Sequence, residues 1–273
     1  MYYQRLDVRR AIMDFANASG SFGLRESAFY NSRVKSMQRY IGENGSKHPV
    51  TLDSPAAVEQ ALSLGASAFY CSYWRHDGHG PNHPTGRDLV WTIRAERGGL
   101  EFAKLTTVRV LEALAEAGIE PWVKYCGDLG FDLIIPLEAI PYEAWSGNLE
   151  ALSEIQEELT NYIEGYLCEH FSDITIEGTS SPIEIKRGTE TCLLSELRVR
   201  RGLLLAPMSL NPETGLVSVP VDPKQVGSFS IFDASPGNVW AFEWVQPSRA
   251  VYGLMRYARA WQPASAQTKL AIA

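Results

Sequence analysis

The segment from Asp88 to Leu137 constrains the fold most, because it passes from a two-residue hydrophobic period to a helical one and back. In Asp88 to Ala95 (DLVWTIRA), Leu89, Trp91 and Ile93 fall on one face and Val90, Thr92 and Arg94 on the other, which is a strand pattern. From Leu100 to Ala117 the apolar stripe of Phe102, Leu105, Val108, Leu111, Leu114 and Ala115 reads as a helix, with Gly118 where a C-terminal cap belongs. Ile119 to Tyr125 and Phe131 to Leu137 read as strands joined by the tight turn Cys126-Gly127-Asp128-Leu129-Gly130.

This order of strand, helix, strand, turn and strand builds half of an α+β sheet of the RNA-recognition type. On its N-terminal side, Leu6, Val8, Ile12, Met13 and Phe15 recur at helical spacing until Ala18-Ser19-Gly20. Ser54-Pro55 is a helix start and Gly65 its end; Ala66 to Trp74 reads as an aromatic-rich strand, and a Gly, Pro and His loop runs from His76 to Thr85. A long helix is expected over Leu149 to Phe171, a β-rich stretch over Ser172 to Phe232, and a last helix over Ala250 to Trp261. The expectation is one domain: an N-terminal α/β lobe over 1–87, a core sheet over 88–225 and an extension over 226–273. Trp91, Trp122, Trp145, Trp240, Trp244 and Trp261 are core candidates by spacing.

Charge and cysteine usage narrow the function classes. The net charge of −7 opposes strong non-specific binding to nucleic acid, which depends on clustered Lys and Arg. Arg9-Arg10 and the group Arg198, Arg200 and Arg201 are read as solvated surface charge. No apolar run approaches the roughly 18 residues of a membrane span, and the opening MYYQRLD is unlike a secretory signal, so the expected location is the cytoplasm. Cys71, Cys126, Cys168 and Cys192 form no C-x-x-C pair and are expected to be buried thiols.

Several segments, in order, resemble the archaeo-eukaryotic primase superfamily, most of all the small, catalytic subunit of archaeal DNA primase; a related fold serves in the polymerase domain of bacterial end-joining ligases. Tyr2-Tyr3, Arg25 to Phe29 and Gln38-Arg39-Tyr40 resemble the opening elements, and Ala68 to Trp74 the strand with a Tyr-Ser-Tyr pattern. Asp88-Leu89-Val90-Trp91 is similar to the lead-in to the catalytic strand, Lys124 to Asp132 to the Ser-Gly-x-x-Gly-x-His turn, and Pro207 to Leu216 to the Pro-Gly-Ser-Leu-His-x-x-Thr-Gly-Leu segment. The resemblance runs from Tyr2 to about Val221 and implies a primase-like α+β fold, with an RNA-recognition-type antiparallel sheet packed by helices beside the N-terminal α/β portion.

The residues that carry the family's chemistry are replaced. Nucleotidyl transfer by two metals needs an Asp-x-Asp pair on one strand face. Thr92 and Arg94 stand there, and a guanidinium puts a fixed positive charge in the place of a cation. On the triphosphate side, Cys126 stands for the turn's serine, Leu129 for a frequent base, Asp132 for the histidine, Asn211 for the second histidine and Glu213 for a frequent lysine. Leu205 lies where the family usually carries an arginine, and Gly127, Gly130 and Ser209 persist. For the third family acid, Glu184, Glu190 and Glu196 are all candidates, and none of them restores the missing pair.

Three functional readings follow. The first is a non-catalytic primase homologue that binds or scaffolds, engaging a replication or repair protein or a nucleic-acid end, and needs no cofactor. The second is an active nucleotidyltransferase using magnesium or manganese with relocated acids: Asp128, Asp132 and Glu96. The third is a sensor of nucleotides or oligonucleotides. Separately, His76, His79 and His83 are a candidate zinc site, although their spacing fits no closed zinc motif. Tyr70 and Tyr73 with Arg94 are candidates for a small base-stacking platform, with core packing as the competing reading.

Overall fold

A computed structural model of the chain describes residues 2–18, 23–42, 46–77, 83–178 and 181–240. Helix α1 (Leu6–Asn17) leads into strands β1 (Leu24–Asn31), β2 (Ser36–Gln38), β3 (Tyr40–Ile41) and β4 (His48–Pro49), followed by α2 (Pro55–Ser63). The Ser54 hydroxyl accepts a hydrogen bond from the Ala57 amide at 3.3 Å, capping α2 as its sequence predicts. Next come β5 (Ala66–His76), β6 (Pro84–Arg87), β7 (Leu89–Arg97), α3 (Gly99–Glu116), β8 (Trp122–Tyr125) and β9 (Gly130–Ile135). A short α4 (Tyr142–Trp145) and the long α5 (Leu149–His170) precede β10 (Thr175–Glu177), β11 (Ile183–Arg187), β12 (Glu190–Glu196), β13 (Leu203–Leu205) and β14 (Pro220–Val221).

The strands form two main sheets and a small ribbon of β3 with β4. The first sheet has the order β13-β5-β1-β2, with β6 also on β5; the second has the order β10-β11-β12-β7-β9-β8-β14. All the pairings are antiparallel. The fold is therefore the mixed α+β architecture, antiparallel sheets packed by helices, that the sequence implies. The first sheet includes β13, which returns from far along the chain to pair with β5, Leu205 opposite Tyr70. The His76–Thr85 loop is shorter than expected, because β5 runs on to His76 and β6 pairs back onto it.

One face of the second sheet is buried against α3 and α5. Trp91 is fully buried and its indole donates to the Thr160 hydroxyl of α5 at 2.8 Å. Strand alternation then turns Thr92 and Arg94 to the opposite face. Between the sheets, Asp88 is fully buried and accepts from Arg25 and Arg75; Arg75 also donates to Glu138 at 2.9 Å. A buried carboxylate needs such partners, since desolvation alone would push its proton back on.

Several expectations fail on tertiary grounds. Leu6 opens α1 but is exposed, as is Trp240; Trp91 and Trp145 are in the core, Trp122 only partly. Cys71, Cys126 and Cys192 are buried thiols, whereas Cys168 is exposed on α5. Arg198 and Arg201 are not simply solvated, because Arg198 pairs with Glu157 and Glu196, and Arg201 with Glu26. Trp244, Trp261 and the helix expected over Ala250 to Trp261 lie outside the described residues. No helix among the described residues is long and apolar enough to cross a membrane.

Candidate functional site

The register of three neighbouring strands assembles the site. Thr92 of β7 lies opposite Asp132 of β9, and Asp132 lies opposite Lys124 of β8. Arg94 lies opposite Gly130. Residues directly opposite on antiparallel strands share a face, so Thr92, Arg94, Asp132 and Lys124 emerge together.

Asp132 is the hub. Its carboxylate accepts from the Arg94 guanidinium at 2.5 Å on one oxygen and from the Lys124 ammonium on the other. Lys124 is fully buried and donates also to the Ser218 hydroxyl at 3.1 Å. Arg94, with its side chain 30% exposed, donates again to the Phe131 carbonyl at 2.8 Å and lies 3.9 Å from Asp128. Burial by itself pushes the Asp132 carboxyl up, but Arg94 and Lys124 more than offset it and hold the group below its ordinary value. Burial disfavours the charge on Arg94, yet Asp132 outweighs it and keeps the guanidinium fixed as a cation.

The two motif segments close over this face. The Cys126 amide donates to the Gly130 carbonyl at 3.0 Å, its thiol contacts Asp128, and burial pushes that thiol up to about 12. Gly127 adopts φ +84°, and a Cβ there would stand 2.7 Å from Asn211. Thr214 donates to the Gly127 carbonyl at 2.5 Å, so the turn and the later segment touch. Asn211 turns its carbonyl oxygen back on the Glu213 amide at 2.9 Å, and Ser209 is buried, accepting from the Phe69 amide at 2.7 Å. Both side chains spend their polar groups on backbone, which makes them elements of loop structure. Gly130 approaches β7 so closely that a Cβ would meet the Ile93 carbonyl, and Leu129 is exposed at the turn tip.

The other predicted residues disperse. Glu96 is exposed near the end of β7, and Glu101 pairs with Lys104 at 3.0 Å. Of the three candidate acids, Glu184 lies opposite Leu193, which lies opposite Arg94, so it shares the site face two strands away and is bound to Lys186. Glu196 lies opposite Trp91 on the helix-covered face, bonded to Thr160 and Arg198. Glu190 pairs with Arg187. The residues opposite Thr92 and Arg94 on β12 are Ser195 and Leu193, neither of them an acid.

A divalent-cation pair does not fit this face. Its one buried carboxylate is taken by two fixed cations, and a third charge of the same sign would be repelled. Among the described residues, no group of three or more His, Cys, Asp or Glu side chains is arranged to hold a metal ion. Of the histidine cluster, His76 is buried near Glu26 and His83, and burial lowers its affinity for a proton; His79 lies outside the described residues. The stacking platform does not form as expected. Tyr73 is buried and donates to the Val199 carbonyl at 2.7 Å, while Arg94 is committed to Asp132.

Lys124 and Ser218 are the site residues that sequence reading passed over. Lys124 sat inside a motif match as filler, and only the register makes it the second cation on Asp132.

With this geometry in hand, the chain is a mixed α+β fold in which one sheet face carries the ion-pair network of Arg94, Asp132 and Lys124. No protein-family model and no curated protein sequence matches the chain. Among solved structures it is similar to the polymerase domain from Mycobacterium tuberculosis ligase D in complex with DNA, at 16% identity and a TM-score of 0.53, over 94% of this chain and 86% of that one. At that identity the likeness carries the fold and nothing finer.

Proposed function

We propose that this protein is a non-catalytic homologue of the primase–polymerase type, which keeps the fold as a scaffold to engage a replication or repair protein or a nucleic-acid end. The observation that carries this is Asp132 held between Arg94 and Lys124 on the face where the family it resembles collects divalent ions. Two-metal catalysis neutralises developing negative charge with cations that carboxylates hold in place. Here the single carboxylate has spent its charge on side chains, and the guanidinium cannot release a proton to make room. The nucleic-acid context is supported by the overall likeness to a polymerase domain solved with DNA.

The test is primer extension and primer initiation by the purified chain with magnesium or manganese, alongside calorimetric titration of a nucleoside triphosphate. The expected result is no incorporation and no metal-dependent binding heat. Robust incorporation that Asp132→Ala abolishes would establish the active reading with relocated acids instead.

A further inference from the structure

The ion-pair face carries two hydroxyls as well as its charges. Ser195 of β12 lies opposite Thr92 of β7, Thr92 opposite Asp132 of β9, and Asp132 opposite Lys124 of β8, so the four stand in one row across the sheet. Thr92 and Ser195 are half-buried, and among the described residues neither hydroxyl has a hydrogen-bond partner. Arg94 begins two residues along β7, between Gly130 and Leu193 on the neighbouring strands. Its guanidinium reaches back to Asp132, the residue beside Thr92, and its side chain stays partly exposed. Gly130 leaves the arginine room, since a Cβ there would come 3.0 Å from the Arg94 Cδ.

The charges set the sign of a ligand for this row. Arg94 and Lys124 bring two positive charges against the one negative charge of Asp132, which leaves a net +1 at the centre. Lys124 is fully buried and cannot touch a ligand, but its field reaches the face. A centre that repels divalent cations attracts an oxyanion. A guanidinium offers a planar fork that matches phosphate, and hydroxyls can donate to the oxygens the fork leaves over. Of the acids on this face, Glu184 is neutralised by Lys186. Asp128 opposes an anion, being 46% exposed and 3.9 Å from the Arg94 Nε.

The geometry points to an oxyanion site on this face, in which the Arg94 guanidinium and the Thr92 and Ser195 hydroxyls take a phosphate monoester directly, with no metal ion between. The assignment rests on the non-catalytic reading and gives it a ligand. Calorimetric titration of the full chain with inorganic phosphate, in EDTA and at constant ionic strength, tests it. The expected result is saturable binding with a Kd of ~1 mM or tighter. Thr92→Val/Ser195→Ala removes two hydroxyls that hold nothing else, so it should keep the urea midpoint and weaken binding ~10-fold or more. Arg94→Lys keeps the charge, loses the fork and should also weaken binding. Asp128→Asn should tighten binding about 2- to 5-fold by removing the opposing charge, whereas a metal held by Asp128 would be lost. Competition by an oligonucleotide with a terminal phosphate, against the same strand without one, tells a strand end from a small phosphate ester. No saturable binding overturns the assignment, as does binding that Thr92→Val/Ser195→Ala leaves unchanged or that Asp128→Asn weakens. Those results leave the non-catalytic reading standing, because primer extension tests it separately; phosphate binding that requires magnesium or manganese overturns both.

Discussion

Arg94 and Asp132, 38 residues apart in sequence, meet across neighbouring strands at 2.5 Å. Each residue alone looks like the loss of a function: a cation where an acid is expected, an acid where a histidine is expected. Together they are a compensated exchange, because the charge that either would leave stranded is neutralised by the other. Lys124 completes the arrangement from the third strand and Ser218 satisfies part of its ammonium. The face is consistent with itself as an ion-pair network and inconsistent with holding two metal ions.

Removing the hub should cost more than removing a rim. Asp132→Asn leaves Lys124 buried without an anion and Arg94 beside it, so the expected loss is about 3–5 kcal/mol, read as a lower urea midpoint. Arg94→Ala leaves the Lys124–Asp132 pair intact and removes a partly exposed partner, so about 1–2 kcal/mol is expected. Equal losses would mean that Lys124 does not hold Asp132 as described.

Acid should unfold the protein through two carboxylates. Asp88, like Asp132, is pushed up by burial but held below the ordinary 3.8 by its arginines, Arg25 and Arg75. Such groups titrate lower in the folded chain than in the unfolded one, so unfolding takes up protons. Their contribution is whole above the unfolded value and is lost as pH falls through the folded one. Urea midpoints measured downward from about pH 5 should fall most steeply below about pH 4, and Asp132→Asn should flatten that fall.

Thiol chemistry should single out one cysteine. Burial pushes Cys71, Cys126 and Cys192 up to about 12, while Cys168 lies exposed. Burial also raises Cys168, with Glu164 and Glu169 adding to it, so it should react slowly at neutral pH and faster in mild alkali. An aromatic disulfide reagent should label Cys168 alone in the native chain, as peptide mapping will show, and all four cysteines after denaturation.

Gly130 should tolerate no side chain. A Cβ would lie 1.9 Å from the Ile93 carbonyl oxygen, which is backbone and can move only with β7. Gly130→Ala should therefore force β7 and β9 apart beside the Arg94–Asp132 pair, costing about 1–3 kcal/mol in the same urea measurement. An unchanged midpoint would show that the register shifts without penalty.

The sequence alone determined the strongly periodic and capped elements and their order. Trp91, Ile93 and Leu89 alternate strongly enough to mark a strand, the stripe ending at Gly118 marks α3, and Ser54-Pro55 marks the start of α2. These are read from neighbours a few residues apart, where periodicity reports which side meets the core. Strand β6 escaped because Pro84-Thr85-Gly86-Arg87 carries turn residues, and β1 was seen only as a motif match because Ala28 and Phe29, consecutive and opposite-facing, are both buried. Tertiary structure alone decided that Arg94, Asp132 and Lys124 share one face, that Tyr73 is buried against the Val199 carbonyl, and that Leu6 and Trp240 stand in solvent. The reason is physical: whether a charge is a surface group or half of a buried pair depends on what the facing strand presents, and that is set by pairing between residues remote in the chain.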